Sequence, residues 1–184
     1  MACIKITAAI SRALEGTRPI KALLDPYNPE GSTSHVRFNT SRPERWETSG
    51  PPPKNHVNWV ITDSDWEAEF CRVVESHPKV LAYTKNHNLG LEVPYRYASE
   101  TRTYLPDFIL LVDDGHGPAD PLRLIIEIKG YRREDAKEKK ATMENYWIPG
   151  VNNLLSHGRW AFAELRDIYT LEADLDAAIR SELE

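Results

Sequence analysis

The sequence predicts an α/β (α+β) domain, a mixed β-sheet flanked by helices. Three observations carry this. Of the 184 residues, 41% are hydrophobic and 28% charged, which suits one packed core of ordinary size. Past residue 57, runs of helical and strand period follow in the order helix, several strands, helix, strand, helix. Within that stretch, "YLPDFILLV" and "PLRLIIEIKG" are apolar on both faces, as strands covered on both sides must be.

The elements follow in chain order. Residues 1–57 form a Pro-rich N-terminal extension or accessory segment, since seven of the thirteen prolines fall in the first 55 residues, including "GPPPK" at 50–54. A short helix is expected at 7–14, a turn-rich stretch at 25–34 ("DPYNPEGSTS") and a strand at 35–40 ("HVRFNT"). The better patterned part, 58–184, is the main domain. "HVNWVI" reads as a short strand. "SDWEAEFCRVVES" reads as a helix, with Trp66, Phe70, Val73 and Val74 at i, i+4, i+7 and i+8. "KVLAYTKN" and "LEVPYRYA" read as strands, the second on an edge because of Pro94. "REDAKEKKATMENYWIPGVNNLL" is helical with an interruption near Pro149-Gly150, "RWAFAEL" is a strand, and "TLEADLDAAIRSELE" is an acidic terminal helix.

Several classes are excluded. No apolar run is long enough for a membrane span, and the first residues lack the layout of a signal peptide. Cys3 and Cys71 are the only cysteines, too few for a disulfide framework or a structural zinc site, so a reducing cytoplasm is expected. The six histidines form no spaced ligand pair. There is no internal repeat and no G-x-x-x-x-G-K-[ST] phosphate loop, so these residues are not an ATP motor. The formal net charge of -5 argues against a wholly basic surface, but a local basic groove depends only on nearby charges.

The hairpin at 104–130 carries the chemistry. If its turn centres on Gly117 without a bulge, Asp107 lies opposite Glu127 on neighbouring antiparallel strands. Like charges so placed repel by up to about 1 kcal/mol even when exposed, and burial makes this worse. A divalent cation offsets the repulsion, since Mg²⁺ prefers carboxylate oxygens, water and phosphate. Lys129 adds a positive group two residues beyond Glu127. Two carboxylates and a lysine at adjacent strand ends can hold a metal, a water and a phosphate together. The alternative is structural: Asp107 caps a turn after Pro106, and Glu127 pairs with Lys129 or Arg123.

Pro106-Asp107 followed by Glu127-Ile128-Lys129 resembles the signature of the PD-(D/E)xK nuclease superfamily. Around it stand a helix with Glu67, then "KNHNLGLEVPY", "YLPDF", "IIEIKGYRREDAKEKK", "WIPGVN" and "GRWAF". That layout, over roughly residues 58–165, resembles the C-terminal endonuclease domain of type III restriction enzymes (Res subunit) and related helicase-linked restriction proteins. The resemblance implies a restriction-endonuclease-like fold and Mg²⁺-dependent DNA cleavage, with Mn²⁺ able to substitute. By motif position, Asp107 and Glu127 would be catalytic metal ligands helped by the Ile128 carbonyl, and Lys129 would orient the attacking water and stabilise developing charge. The motor that type III cleavage subunits carry is missing, so the chain is either a piece of a longer protein or a free-standing nuclease. An ATP-dependent motor region and a methyltransferase subunit are the implied partners. A double-strand break needs two copies of the site, as in a homodimer, or two events.

Glu67 matches the helical carboxylate of many such nucleases and is a further candidate ligand. Ser64-x-x-Glu67 is also a capping box, which would spend Glu67 on the backbone at Ser64. The stretch "KGYRREDAKEKK" holds six basic residues against three acidic ones. Arg132, Arg133, Lys137 and Lys140 are therefore candidate phosphate contacts, against the alternative of a solvated helix face. Lys85, Asn86, Tyr95 and Arg102 are groove candidates by the family layout. Trp147 and Trp160 are expected in the core. Two other functions stay open: a DNA repair or junction-cleaving nuclease of the same superfamily, and a DNA-binding or assembly module without activity of its own.

Overall fold

The computed structural model describes residues 20–21, 33, 36–50, 52–117, 119–129 and 135–181. The predicted mixed sheet flanked by helices is what it contains. In chain order the elements are β1 (Arg45–Glu47), β2 (Trp59–Ile61), α1 (Asp65–Ser76), β3 (Val80–Lys85), β4 (Val93–Tyr97), β5 (Glu100–Tyr104), β6 (Phe108–Val112), β7 (Leu122–Ile128), α2 (Ala136–Thr142), a π-helical turn (Met143–Trp147), α3 (Ile148–Asn152), β8 (Arg159–Leu165) and α4 (Leu171–Ser181).

The main sheet has the order β3-β6-β7-β8. Strands β3, β6 and β7 run as an antiparallel meander, and β8 returns parallel to β7 after the crossover through α2 and α3. The doubly apolar hairpin thus supplies the two central strands. One face carries Phe108, Leu110, Val112, Leu124 and Ile126, packed against Phe70 and Val74 of α1 and Leu171, Leu175 and Ile179 of α4. The Phe70 and Phe108 rings lie 4.8 Å apart. The other face carries Ile125, which packs with Met143, with Val93 and Tyr95 of β4 and with Tyr104 of β5. The side chains at 108–112 alternate buried and half-buried because the second face is only partly covered.

The apolar faces of α1 and α4 both enter the core. Ser64 is the N-cap of α1, accepting from the Glu67 N–H at 3.3 Å. No basic residue lies in the last turn of α1. Lys54 supplies that charge from outside, donating to the carbonyls of Val74 (3.2 Å) and His77 (2.5 Å). The long helix is interrupted earlier than expected, by the π-turn at Met143–Trp147. Pro149 lacks an N–H and cannot continue an i→i−4 ladder, and the widened turn before it absorbs that. Trp147 and Trp160 meet edge-on at 5.3 Å in the second core cluster, as expected.

Three expectations change. Residues 36–40 form no strand, and the early strand is β1, which pairs antiparallel with β2. This pairing joins Arg45–Glu47, before the expected boundary at residue 57, to Trp59–Ile61 after it, and the buried Asn55 bridges to Tyr83. The unexpected strand β5 forms a separate two-stranded sheet with β4, which does leave Pro94 on an edge. The helix expected at 7–14 and nearly all of the turn-rich stretch at 25–34 lie outside the described residues.

A chain begun at residue 58 loses β1, the Trp46 contacts and the Lys54 cap. It is expected to be less stable than one begun at residue 36 by on the order of 2–3 kcal/mol in urea unfolding. Equal midpoints for the two would mean that the segment is peripheral.

Candidate active site

Antiparallel and parallel pairing bring four chain positions to one end of the sheet. The end of β3 meets the start of β6, through Lys85 paired with Phe108. The start of β6 meets the end of β7, through Phe108 paired with Ile126. One step further in that register sets Asp107 against Glu127, as the symmetric hairpin predicts. The end of β8 joins them, with Glu164 paired to Glu127.

Asp107 is partly buried, and its Oδ2 accepts the Ile128 N–H at 2.8 Å. This single bond ties the Asp107 carboxylate to the end of β7. The Asp107 carbonyl in turn accepts the Asn86 N–H at 2.8 Å, fixing its backbone to the strand on the other side. Glu127 Oε2 accepts the Tyr104 hydroxyl at 2.6 Å. Burial first, and the Glu127 charge second, push the Asp107 carboxyl up to about 8, against the opposing Ile128 bond. Burial likewise raises Glu127, although the Tyr104 bond and the charges of Lys129 and Lys139 oppose it. Burial and the Glu127 charge raise the Tyr104 phenol, which stays a donor. The pair is therefore short of positive charge. Its donors, two carboxylates and the carbonyl of Ile128 at the end of β7, are all hard oxygens of the kind Mg²⁺ takes. Those residues fit a divalent cation by their chemistry and by that charge deficit.

Lys129 directly follows β7. Its ammonium pairs with Glu164 and lies 3.4 Å from the Ala136 carbonyl. The second oxygen of Glu164 takes Arg166 at 2.6 Å. Burial pushes the Glu164 carboxyl up, but the bonds from Lys129 and Arg166 outweigh that and hold it below its ordinary value.

Glu67 is nearby but committed elsewhere. Its Oε2 accepts Lys85 Nζ at 2.6 Å and the Asp63 N–H at 2.8 Å, so the capping box closes one residue earlier than Ser64. Among the described residues no three His, Cys, Asp or Glu converge to hold a metal. Glu67 is thus the partner of Lys85, and its charge still reaches Asp107. Lys85 differs from expectation as well. Its side chain is 9% exposed, and it also bonds Asp63 Oδ2 at 2.7 Å and the Ile61 carbonyl at 2.8 Å. A cation so enclosed balances the carboxylates and offers little to a phosphate.

The other groove candidates divide. Asn86 closes its own loop through Leu91. Tyr95 is buried and donates to Asp135. Arg102 is exposed, paired with Glu100 at 3.0 Å and stacked 4.6 Å over Tyr97. Lys137 is exposed on α2, and Lys140 pairs with Glu144 at 3.4 Å. Arg132 and Arg133 lie outside the described residues. Sequence reasoning missed Tyr104, Glu164 and Lys139. Lys139 sits 5.5 Å over the rings of both Tyr95 and Tyr104 and 3.2 Å from Asp135. A lone carboxylate in the strand "RWAFAEL" was the signal for Glu164.

Residues 54–154 match a family model described as an endonuclease domain. No curated protein and no solved structure gave a significant match.

The raised carboxyl of Asp107 has a consequence for stability. Between 3.8 and about 8 the folded chain holds a proton there that the unfolded chain has released, so without metal stability falls as pH rises through that window. Asp107→Asn keeps an acceptor for Ile128 and removes the charge. Without divalent metal, its Tm at pH 8 should exceed that of wild type by at least about 3 °C, what roughly 1 kcal/mol gives in a domain of this size. The gain should shrink towards pH 4. A variant less stable than wild type at pH 8 would contradict the strained pair.

Proposed function

Because the chain belongs to the endonuclease-domain family, we propose that it is a Mg²⁺-dependent DNA endonuclease of a type III-like restriction system, hydrolysing phosphodiester bonds. One observation carries the reading beyond the family: Asp107 and Glu127 face each other at the ends of the two central strands, under-neutralised, with Lys129 two residues beyond Glu127. A structural ion pair would have no need of two opposed carboxylates.

Asp107, Glu127 and the Ile128 carbonyl would hold the metal. Mg²⁺ bound there would polarise the scissile phosphate and make water a stronger nucleophile. The bond from the Ile128 N–H holds the Asp107 carboxylate in place, and the Tyr104 hydroxyl orients that of Glu127. Lys129 presents a positive hydrogen-bond donor to the charge that grows on the phosphate oxygens during attack. Glu67 acts through Lys85 on the electrostatics of Asp107 rather than as a necessary third ligand.

DNA would be held through its phosphates by cations: exposed Lys137 and half-buried Lys140 on α2 and exposed Arg102 on the β4–β5 hairpin, with Arg132 and Arg133, outside the described residues, as further candidates from the sequence. Phosphate contacts position DNA without reading its sequence. Recognition and delivery are therefore assigned to a methyltransferase subunit and an ATP-dependent motor region.

With supercoiled plasmid and Mg²⁺ or Mn²⁺, the chain is expected to nick DNA and EDTA to stop it. Asp107→Ala, Glu127→Ala and Lys129→Ala should each slow cleavage by about 10³-fold or more, on the order of 4 kcal/mol in barrier. Variants that cut like wild type would sink the site assignment.

A further inference from the structure

We propose that Glu164 is a positioning residue: from the neighbouring strand it holds the Lys129 ammonium beside the carboxylate pair and keeps it from collapsing onto Glu127. This rests on the function proposed above. Glu127 and Glu164 are paired in register on parallel strands, and Lys129 lies two residues past Glu127. Residues two apart share a face, so all three side chains project from the same side of the sheet end. Glu164 is 3% exposed and Lys129 is 13% exposed. A lysine beside a buried, charge-deficient carboxylate would be drawn to that carboxylate. Among the described residues, Lys129 instead forms its ion pair with Glu164 and none with Glu127. The backbone supports this, since the Lys129 N–H donates to the Leu165 carbonyl at 2.9 Å, locking the root of the side chain next to Glu164.

Both oxygens of Glu164 are occupied, by Lys129 and by Arg166. Arg166 shares the negative charge of Glu164, so Lys129 retains positive charge for a phosphate. Lysine is a flexible point charge with several rotamers, and a fixed ammonium meets developing charge without first being ordered. Glu164 need touch neither DNA nor metal to do this.

The test uses Glu164→Gln, which keeps the shape and removes the charge, and Glu164→Asp, which keeps the charge. Loss of the outer-shell partner of a metal ligand typically costs about 10–100-fold, and a loss of that order is expected for the partner of Lys129. Glu164→Gln is expected to lose that much cleavage rate at saturating DNA. Its affinity for DNA, measured by anisotropy with Ca²⁺ in place of Mg²⁺, should stay within about threefold, because the contact acts on the chemical step. Glu164→Asp should recover part of the rate. A second readout needs no activity. In ¹⁵N-lysine-labelled wild type, the Lys129 ammonium signal, assigned by its loss in Lys129→Arg, should exchange more slowly than surface lysines. Fast exchange there overturns the proposal. So does Glu164→Gln cutting like wild type while Lys129→Ala does not, an outcome that leaves the proposed function intact. Failure of the wild type both to cut under every metal and to bind Mn²⁺ would overturn the functional reading itself.

Discussion

Two carboxylates that repel each other sit at the ends of the two innermost strands, and much of the surrounding structure balances that repulsion. The β6–β7 register places them, and a slip of one residue would turn one of them to the opposite face. The register is held by apolar side chains on both faces, above all Phe108, Leu110, Leu124 and Ile126 towards α1 and α4. The hydrophobic core therefore does more than stabilise the chain. It holds Asp107 and Glu127 in a position that neither would choose in water.

The charges that answer the pair are arranged in two clamps. On the β3 side, Lys85 is enclosed by Glu67, Asp63 and the Ile61 carbonyl. On the β8 side, Lys129 is shared between Glu164 and the Ala136 carbonyl at the start of α2, with Arg166 behind. Each clamp places a cation near Asp107 or Glu127 without neutralising it, since both carboxyls still lie above their ordinary range. The remaining deficit is what a divalent cation would fill.

The parts of this arrangement that were legible in the sequence are local. The hairpin could be read because its apolar runs are symmetric about Gly117, and α1 because four apolar residues and Ser64 fit one helical face and its cap. Strand β5 could not, because "ETRTY" is exposed except at Tyr104 and has no apolar alternation. The role of Glu164 depends on a parallel pairing between strands 37 residues apart, which periodicity cannot reveal. Lys85 was expected to face the groove, and its enclosure is likewise invisible in the sequence. A lysine ending a strand looks like a surface cation until Glu67 and Asp63 are brought to it by the fold. The hairpin symmetry and the resemblance to nuclease motifs both pointed to Asp107, Glu127 and Lys129 as candidates, but not to the side chains around them.

Calorimetric titration of Mn²⁺ into the metal-free chain at pH 7, repeated in buffers of different ionisation enthalpy, tests the central claim most directly. If Asp107 and Glu127 form a charge-deficient metal site, the wild type binds Mn²⁺ and releases a proton as it does so. Its observed heat then varies with the buffer, and Asp107→Asn loses the binding. Binding of equal strength in Asp107→Asn, or no binding by a folded wild type, would contradict it.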